Sequence, residues 1–319
     1  MTADIAIQIS QLSHTYPKTK KAAARRALNE VSLQVGRGEM VAVLGPNGSG
    51  KSTLLRVLTT ALKPASGSVE VAGFDVARQA AQVRQALGVV FQKPALDIKM
   101  TVEENLRAMG LLYGVSGSQL KERITRILDE LGLQERRKER VETLSGGLAR
   151  KVELAKALLP EPRVLIMDEP TSGLDPVARH EFWALVGGLR AKGELTVVVT
   201  THLLDEAERC DRVAILHQGQ LLACDRPAQL QSSIGQEILS IHAEELEELQ
   251  GQLAADYQFE SRIVDGSLRV TLSAEVSLDD LRSQFKGRFK SLTVAPPSLD
   301  DVFVHFTGEH LGASQEGTS

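Results

Sequence analysis

Apolar and polar residues alternate with a period of two over residues 5–9 (Ile-Ala-Ile-Gln-Ile) and 31–35 (Val-Ser-Leu-Gln-Val). That alternation predicts half-buried antiparallel strands. Residues 40–44 (Met-Val-Ala-Val-Leu) form an unbroken apolar run instead, as in a strand covered on both faces, and it leads through a glycine-rich turn into a helical stretch over residues 51–62. Between about residues 93 and 141 the pattern changes to a period of 3.6, clearest over 102–112 and 120–131, which predicts a helical insertion. Strand signals return at 163–167, 196–200 and 213–216, separated by helical stretches over 176–189 and 203–210. Strands alternating with helices argue a parallel α/β core.

Beyond residue 236 the pattern reads strand 237–242, helix 244–256, strand 259–264, strand 268–272, helix 278–285 and strand 289–294. This is the β-α-β-β-α-β order of a ferredoxin-like unit. A last helix is expected over 298–306, followed by a small, polar tail over 309–319 that is expected to be disordered. The domain expectation is therefore a large domain over 4–235, an accessory α+β domain over 236–308, and a tail. Charge agrees with that boundary: residues 1–235 sum to about +5 and residues 236–319 to about −9.

The overall charge of −4 gives no global attraction to nucleic acid, so no nucleic-acid partner is expected. The basic run over 18–26 reads as a solvated loop. Cys210 and Cys224 lack the spacing of a disulfide framework and are expected to be reduced thiols. No apolar run approaches the roughly 18 residues of a bilayer-crossing helix, so the chain is expected not to span a membrane by itself.

Two segments carry recognisable chemistry. Gly45-Pro46-Asn47-Gly48-Ser49-Gly50-Lys51-Ser52, followed by Thr53, has the G-x-x-x-x-G-K-[ST] spacing of a P-loop, placed where that motif requires, between a buried strand and a helix. Glycines let successive backbone N–H groups point into one concavity at the positive end of the helix, forming a nest for phosphate. Lys51 can then reach the β- and γ-phosphates, and the Ser52 hydroxyl can ligate Mg²⁺. The second segment is the apolar run 163–167 ending in Asp168 and Glu169. Asp168 at the carboxyl edge of the sheet can hold the Mg²⁺ shell, and Glu169 can orient and polarise an attacking water.

With Leu144-Ser145-Gly146-Gly147 added after the helical insertion, residues 4–235 resemble the nucleotide-binding subunits of ABC transporters. That resemblance implies an α/β fold: a P-loop NTPase core with antiparallel β and helical subdomains, here extended by the ferredoxin-like C-terminal domain. It also implies that Ser145, Gly146 and Gly147, at a helix N-terminus, bind the γ-phosphate of an ATP held by an opposite subunit, so that two chains complete each site. By the same resemblance Tyr16 stacks on adenine, Gln92 meets Mg²⁺ and the attacking water, Asp175 crosses the dimer interface, and His202 contacts the γ-phosphate. The sequence departs from the family's commonest signature at Leu148, where a glutamine is usual.

The ending Pro297-Ser-Leu-Asp-Asp-Val-Phe-Val-His-Phe-Thr-Gly308 resembles ATPase subunits of the drug, lipid and polysaccharide exporter branch. The resemblance implies ATP hydrolysis with Mg²⁺, a homodimer, separate transmembrane permease subunits, and a place on the cytoplasmic face of the cell membrane. Residues 93–105 are the expected docking segment for the permease. Two other readings stand beside it: a soluble, non-transport ABC ATPase acting on nucleic acid or ribosomes, and a non-catalytic regulatory nucleotide binder.

Overall fold

The computed structural model describes residues 4–17, 24–191, 195–235, 237–257, 261–264, 266–272, 288–308 and 311. They group into two compact units, Met1–Leu203 with Leu216–Leu221, and Leu204–Ile215 with Leu222–Ser319.

In the first unit β1 (Ile5–Tyr16) pairs antiparallel with β2 (Arg25–Gly36), and the parallel core starts at β3 (Met40–Leu44), all five residues of which are buried. Next come α1 (Lys51–Leu58), β4 (Ser66–Val71), β5 (Phe74–Asp75), α2 (Ala80–Ala86) and β6 (Leu87–Val90). The helical insertion follows as α3 (Val102–Leu112) and α4 (Gly117–Glu130), and the unit continues with α5 (Gly146–Leu158), β7 (Val164–Asp168), α6 (Pro176–Ala191) and β8 (Thr196–Thr201). One sheet has the order β2-β1-β4-β5. The other runs β3-β8-β7-β6 in parallel, in the registers Met40↔Val197, Val164↔Thr196 and Leu87↔Val164.

That register decides where chemistry can happen. Four parallel strands end at one edge, so the segments after them, beginning at Gly45, Phe91, Glu169 and His202, gather at the carboxyl ends where open α/β sheets bind ligands. The insertion is fixed locally as well. Thr101 caps α3 by accepting from Glu104 N–H at 3.2 Å while Glu104 accepts from Thr101 N–H at 2.8 Å, a capping box.

After β8 the chain forms α7 (Leu204–Ala207), β9 (Arg212–His217), β10 (Gln220–Asp225), α8 (Pro227–Ser233), β11 (Glu237–Ala243), α9 (Leu246–Tyr257), β12 (Ser261–Val264), β13 (Ser267–Leu272), β14 (Phe289–Ala295) and α10 (Leu299–Thr307). The last four strands form an antiparallel sheet in the order β12-β13-β11-β14, the strand order of a ferredoxin-like unit. Its core joins Leu239 and Ile241 of β11 to Leu246, Leu249 and Leu253, whose spacing of three and four puts them on one face of α9. The helix expected over 278–285 lies outside the described residues, as does the tail over 309–319 apart from Leu311. The helix expected over 203–210 is shorter, Leu204–Ala207. Neither Cys210 nor Cys224 forms a disulfide. Among the described residues no helix is long and apolar enough to cross a membrane.

Candidate nucleotide site

A cavity of about 200 Å³ opens at the carboxyl edge of the parallel sheet, lined by Tyr16, Arg25, Ala27, Asn47, Gly48, Gly50, Lys51, Ser52, Thr53, Gln92 and Glu169. Its floor is the loop between β3 and α1. Ser49 N–H donates to Pro46 O at 3.2 Å, and Gly219 N–H donates to Ser49 O at 2.8 Å, which pins the loop from below. Gly50 sits at φ 113°, and a Cβ there would lie 2.6 Å from the carbonyl oxygen of Ala27, so a side chain has neither the backbone angle nor the room.

Lys51 is buried, and its Nζ donates to the carbonyls of Gly45 at 2.6 Å and Pro46 at 3.1 Å. Burial lowers its pKa, while the nearby carboxylates of Glu169 and Asp168 pull the other way. Its ammonium lies 3.8 Å from Glu169 Oε1. Two carbonyls therefore hold the cation in the cavity lining with donor capacity left for a phosphate oxygen.

The acidic pair of β7 divides as its sequence position implies. Asp168 accepts from the Thr200 hydroxyl on β8 at 2.6 Å. Glu169 turns at a positive φ of 43° and accepts from Gln92 Nε2 at 2.9 Å. Its other oxygen lies 3.3 Å from His202 Nδ1. The His202 contact holds the Glu169 carboxyl below its ordinary range, helped by Lys51 and Gln92 and opposed by burial. A carboxylate that stays ionised and is steered by an amide, an imidazole and an ammonium is equipped to orient a water.

Tyr16 lies at the same opening, its hydroxyl 3.3 Å from Thr53 Oγ1. The remaining expected residues lie elsewhere. Ser145 caps α5, its Oγ accepting from Leu148 N–H at 3.3 Å. Asp175 caps α6 by accepting from the N–H groups of Val177 and Ala178, each at 3.0 Å. Neither these two nor Gly146 and Gly147 line the cavity.

For Mg²⁺, the described residues hold no cluster of three or more His, Cys, Asp or Glu side chains able to cage an ion. The exposed Ser52 hydroxyl, the Asp168 carboxylate and the Gln92 amide fit a hard ion that takes most of its oxygens from phosphate and water. A larger cavity of about 490 Å³ lies where β7 and β8 begin, lined by Pro162, Val164 and Thr196 among others. It holds none of this chemistry.

The model of the ABC transporter family matches residues 28–172. Nod factor export ATP-binding protein I of Rhizobium sp. (strain N33) is 38% identical over 288 residues, 89% of this chain and 93% of that protein. Its counterpart in Rhizobium meliloti (strain 1021) is 36% identical over 310 residues, 96% of this chain and 89% of that protein. The chain belongs to the ABC transporter ATP-binding proteins. Among solved structures, cbiO1 from Clostridium perfringens, part of the ABC transporter complex cbiONQ, aligns with a TM-score of 0.65 at 25% identity, covering 80% of this chain and 96% of that one. A dimeric ATP-binding cassette in a post-hydrolysis state with ADP and Pi aligns at 0.63 and 27% identity, covering 69% and 98%. This ABC protein is an ATP-binding, ATP-hydrolysing subunit of an exporter, and its core is a P-loop NTPase fold.

Two contributors escaped the sequence reading. Arg25, inside the basic run read as a solvated loop, lines the cavity and donates from Nη2 to Gly48 O at 2.6 Å. A basic residue opening a strand soon after Tyr16 was the available signal. Thr200, which orients Asp168 and whose carbonyl accepts from Glu169 N–H at 3.1 Å, was visible only as a strand residue.

Proposed function

We propose that two copies of this chain close around two ATP molecules and drive export through separate transmembrane permease subunits. Lys51 and the loop over residues 45–50 bind the phosphates, Thr53 supports Tyr16, and Tyr16 stacks on adenine. Ser52, Asp168 and Gln92 hold Mg²⁺, which when bound neutralises phosphate charge. Glu169 orients the attacking water, and His202 contacts the γ-phosphate while keeping Glu169 ionised.

The observation that carries the two-copy reading is that Ser145, Gly146 and Gly147 do not line the phosphate cavity of their own chain, Ser145 capping α5 instead. The helix N-terminus at Ser145 presents backbone N–H groups of the kind that bind anions, and a second copy would bring it to the cavity. Asp175 then belongs at the seam between copies. A related cassette has been solved as a dimer.

The permease docks on residues 93–105 and their neighbour Phe91. Phe91, Ile98 and Met100 are large apolar side chains exposed on this stretch, Ile98 at 54%. Docking there places the protein peripherally on the cytoplasmic face of the membrane. Residues 236–308 act as an accessory domain. The relatives' names specify Nod factor as the cargo of those proteins; here the permease chooses the cargo.

The test is purification of a tagged Glu169→Gln chain with ATP and Mg²⁺ from detergent-solubilised membranes, with partners identified by mass spectrometry. A multi-helix membrane protein at near-equal stoichiometry is expected. Ribosomal proteins or nucleic acid without a membrane partner would support the non-transport alternative instead.

A further inference from the structure

Helix α5 carries a buried ion pair outside the nucleotide cavity, Arg150 with Glu153, at 5% and 4% side-chain exposure. Buried pairs cost desolvation and are weak stabilisers, so their value lies in what else they hold. Here they hold main chain. Arg150 Nη1 donates to Phe91 O at 2.7 Å and Nη2 to Gln92 O at 3.1 Å, while Glu153 Oε1 accepts from Ala95 N–H at 2.5 Å. One turn further on, Lys156 donates to Ala95 O. One helix face thus grips the loop after β6 at residues 91, 92 and 95, on either side of the peptide that aims the Gln92 amide at Glu169.

We propose that Arg150 and Glu153 are positioning residues for ATP hydrolysis: they set Gln92 against Glu169 by fixing the backbone of residues 91–95 to α5. Because Ser145 caps the same helix, any displacement of the signature end is carried by a rigid rod to Gln92 about five residues, or roughly 7.5 Å, along the axis. A guanidinium is suited to this task, since its fork serves two carbonyls and a carboxylate at once, which an ammonium cannot do with the same geometry.

The inference rests on the reading of Gln92 and Glu169 given above, and the experiment separates the two. Steady-state ATPase kinetics are measured for Gln92→Ala, Arg150→Lys, Glu153→Gln and the doubles with Gln92→Ala. Arg150→Lys and Glu153→Gln are each expected to lower kcat about tenfold with KM for ATP nearly unchanged, since small misplacements of reacting groups cost rate rather than binding. In the Gln92→Ala background they should cost nothing more. A merely structural pair would give losses that add to that of Gln92→Ala, or a rise in KM, and either overturns the inference while leaving the ATPase reading intact. Wild-type turnover in Gln92→Ala itself overturns the role of Gln92 and this inference with it. If neither pair variant folds, Lys156→Met carries the test: a smaller fall in kcat that vanishes without Gln92 supports the grip, and an unchanged kcat overturns it.

Discussion

Gln92 donates its side-chain amide to Glu169 Oε2 at 2.9 Å, although 77 residues separate them in sequence. The contact exists because β6 and β7 are parallel neighbours in the register Val90↔Met167, so the residues just past their ends meet at one edge. With His202 3.3 Å from the other carboxylate oxygen, Glu169 is held from two sides in its ionised form.

Removing His202 should therefore move the acid limb of ATP hydrolysis. The His202 contact is the largest cause of the lowered Glu169 pKa. Its loss raises that pKa, so the Glu169 carboxylate takes up its proton at a higher pH. In His202→Ala the acid limb of the kcat/KM profile, which reports the free enzyme, is expected to shift toward higher pH, on top of a drop at the plateau. A limb that stays in place would mean that another group sets it.

Gly50→Ala should abolish nucleotide binding and destabilise the first unit. Its φ of 113° suits glycine, and the added Cβ would meet Ala27 O at 2.6 Å, a backbone atom that cannot swing aside. Gly173→Ala is the control, with φ 78° but nothing within 4 Å of an added Cβ. Left-handed strain alone should cost it about 1–2 kcal/mol. Titration with a fluorescent ATP analogue and thermal melts distinguish the two, and similar losses in both would show that the close approach at Gly50 does not matter.

In the helical insertion, Glu103 receives Arg137 Nε at 2.7 Å and Nη2 at 2.8 Å, and Arg107 at 3.0 Å. Hydrogen bonding from Arg137 lowers its pKa to about 2. The folded value lies below the unfolded one, so the stabilisation is fully present above an unfolded pKa of about 4.3 and is lost as pH falls through about 2. Glu103→Gln should cost about 1–2 kcal/mol at neutral pH, the partly exposed forked pair being worth more than a simple surface pair. Urea denaturation at neutral pH and at progressively lower pH checks this. The gap between the two proteins should narrow across that acid window.

The sequence announced the chemistry more fully than the architecture that supports it. The fully apolar β3, the glycine loop and the acids ending β7 could be read directly, because periodicity and spacing are local properties, and α3 runs over the residues its period implied. The short strands β4, β5, β6 and β10 and the helix α8 left no such trace. Four residues of β6 directly follow α2 without a turn, and their strand character comes from pairing with β7. Arg25 and Arg150 show the same limit. Each looks like an ordinary charged residue until tertiary structure brings Gly48 O to the first and Phe91 O to the second.

At the start of α10, Asp301 does two jobs with one carboxylate. Oδ2 accepts from Ser298 N–H at 2.9 Å and from Ser298 Oγ at 2.6 Å, while Asp301 N–H donates to Ser298 Oγ at 3.2 Å, completing a capping box. Oδ1 pairs with Arg269 of β13, so the helix start is tied to the sheet. Leu299, Val302 and Phe303 are fully buried immediately around it, so fraying here would expose core. Asp301→Ala removes the reciprocal half of the capping box, with Ser298 still capping the helix, and leaves a partly buried guanidinium without this carboxylate; it is expected to cost about 2–4 kcal/mol. Asp301→Asn keeps a side-chain oxygen that can accept from Ser298 N–H but not the charge that pairs with Arg269, and should cost about half as much. Urea denaturation of the three proteins measures both steps. Equal losses in Asn and Ala would assign the whole effect to the ion pair, and no loss in Asn would assign it to the bond from Ser298 N–H.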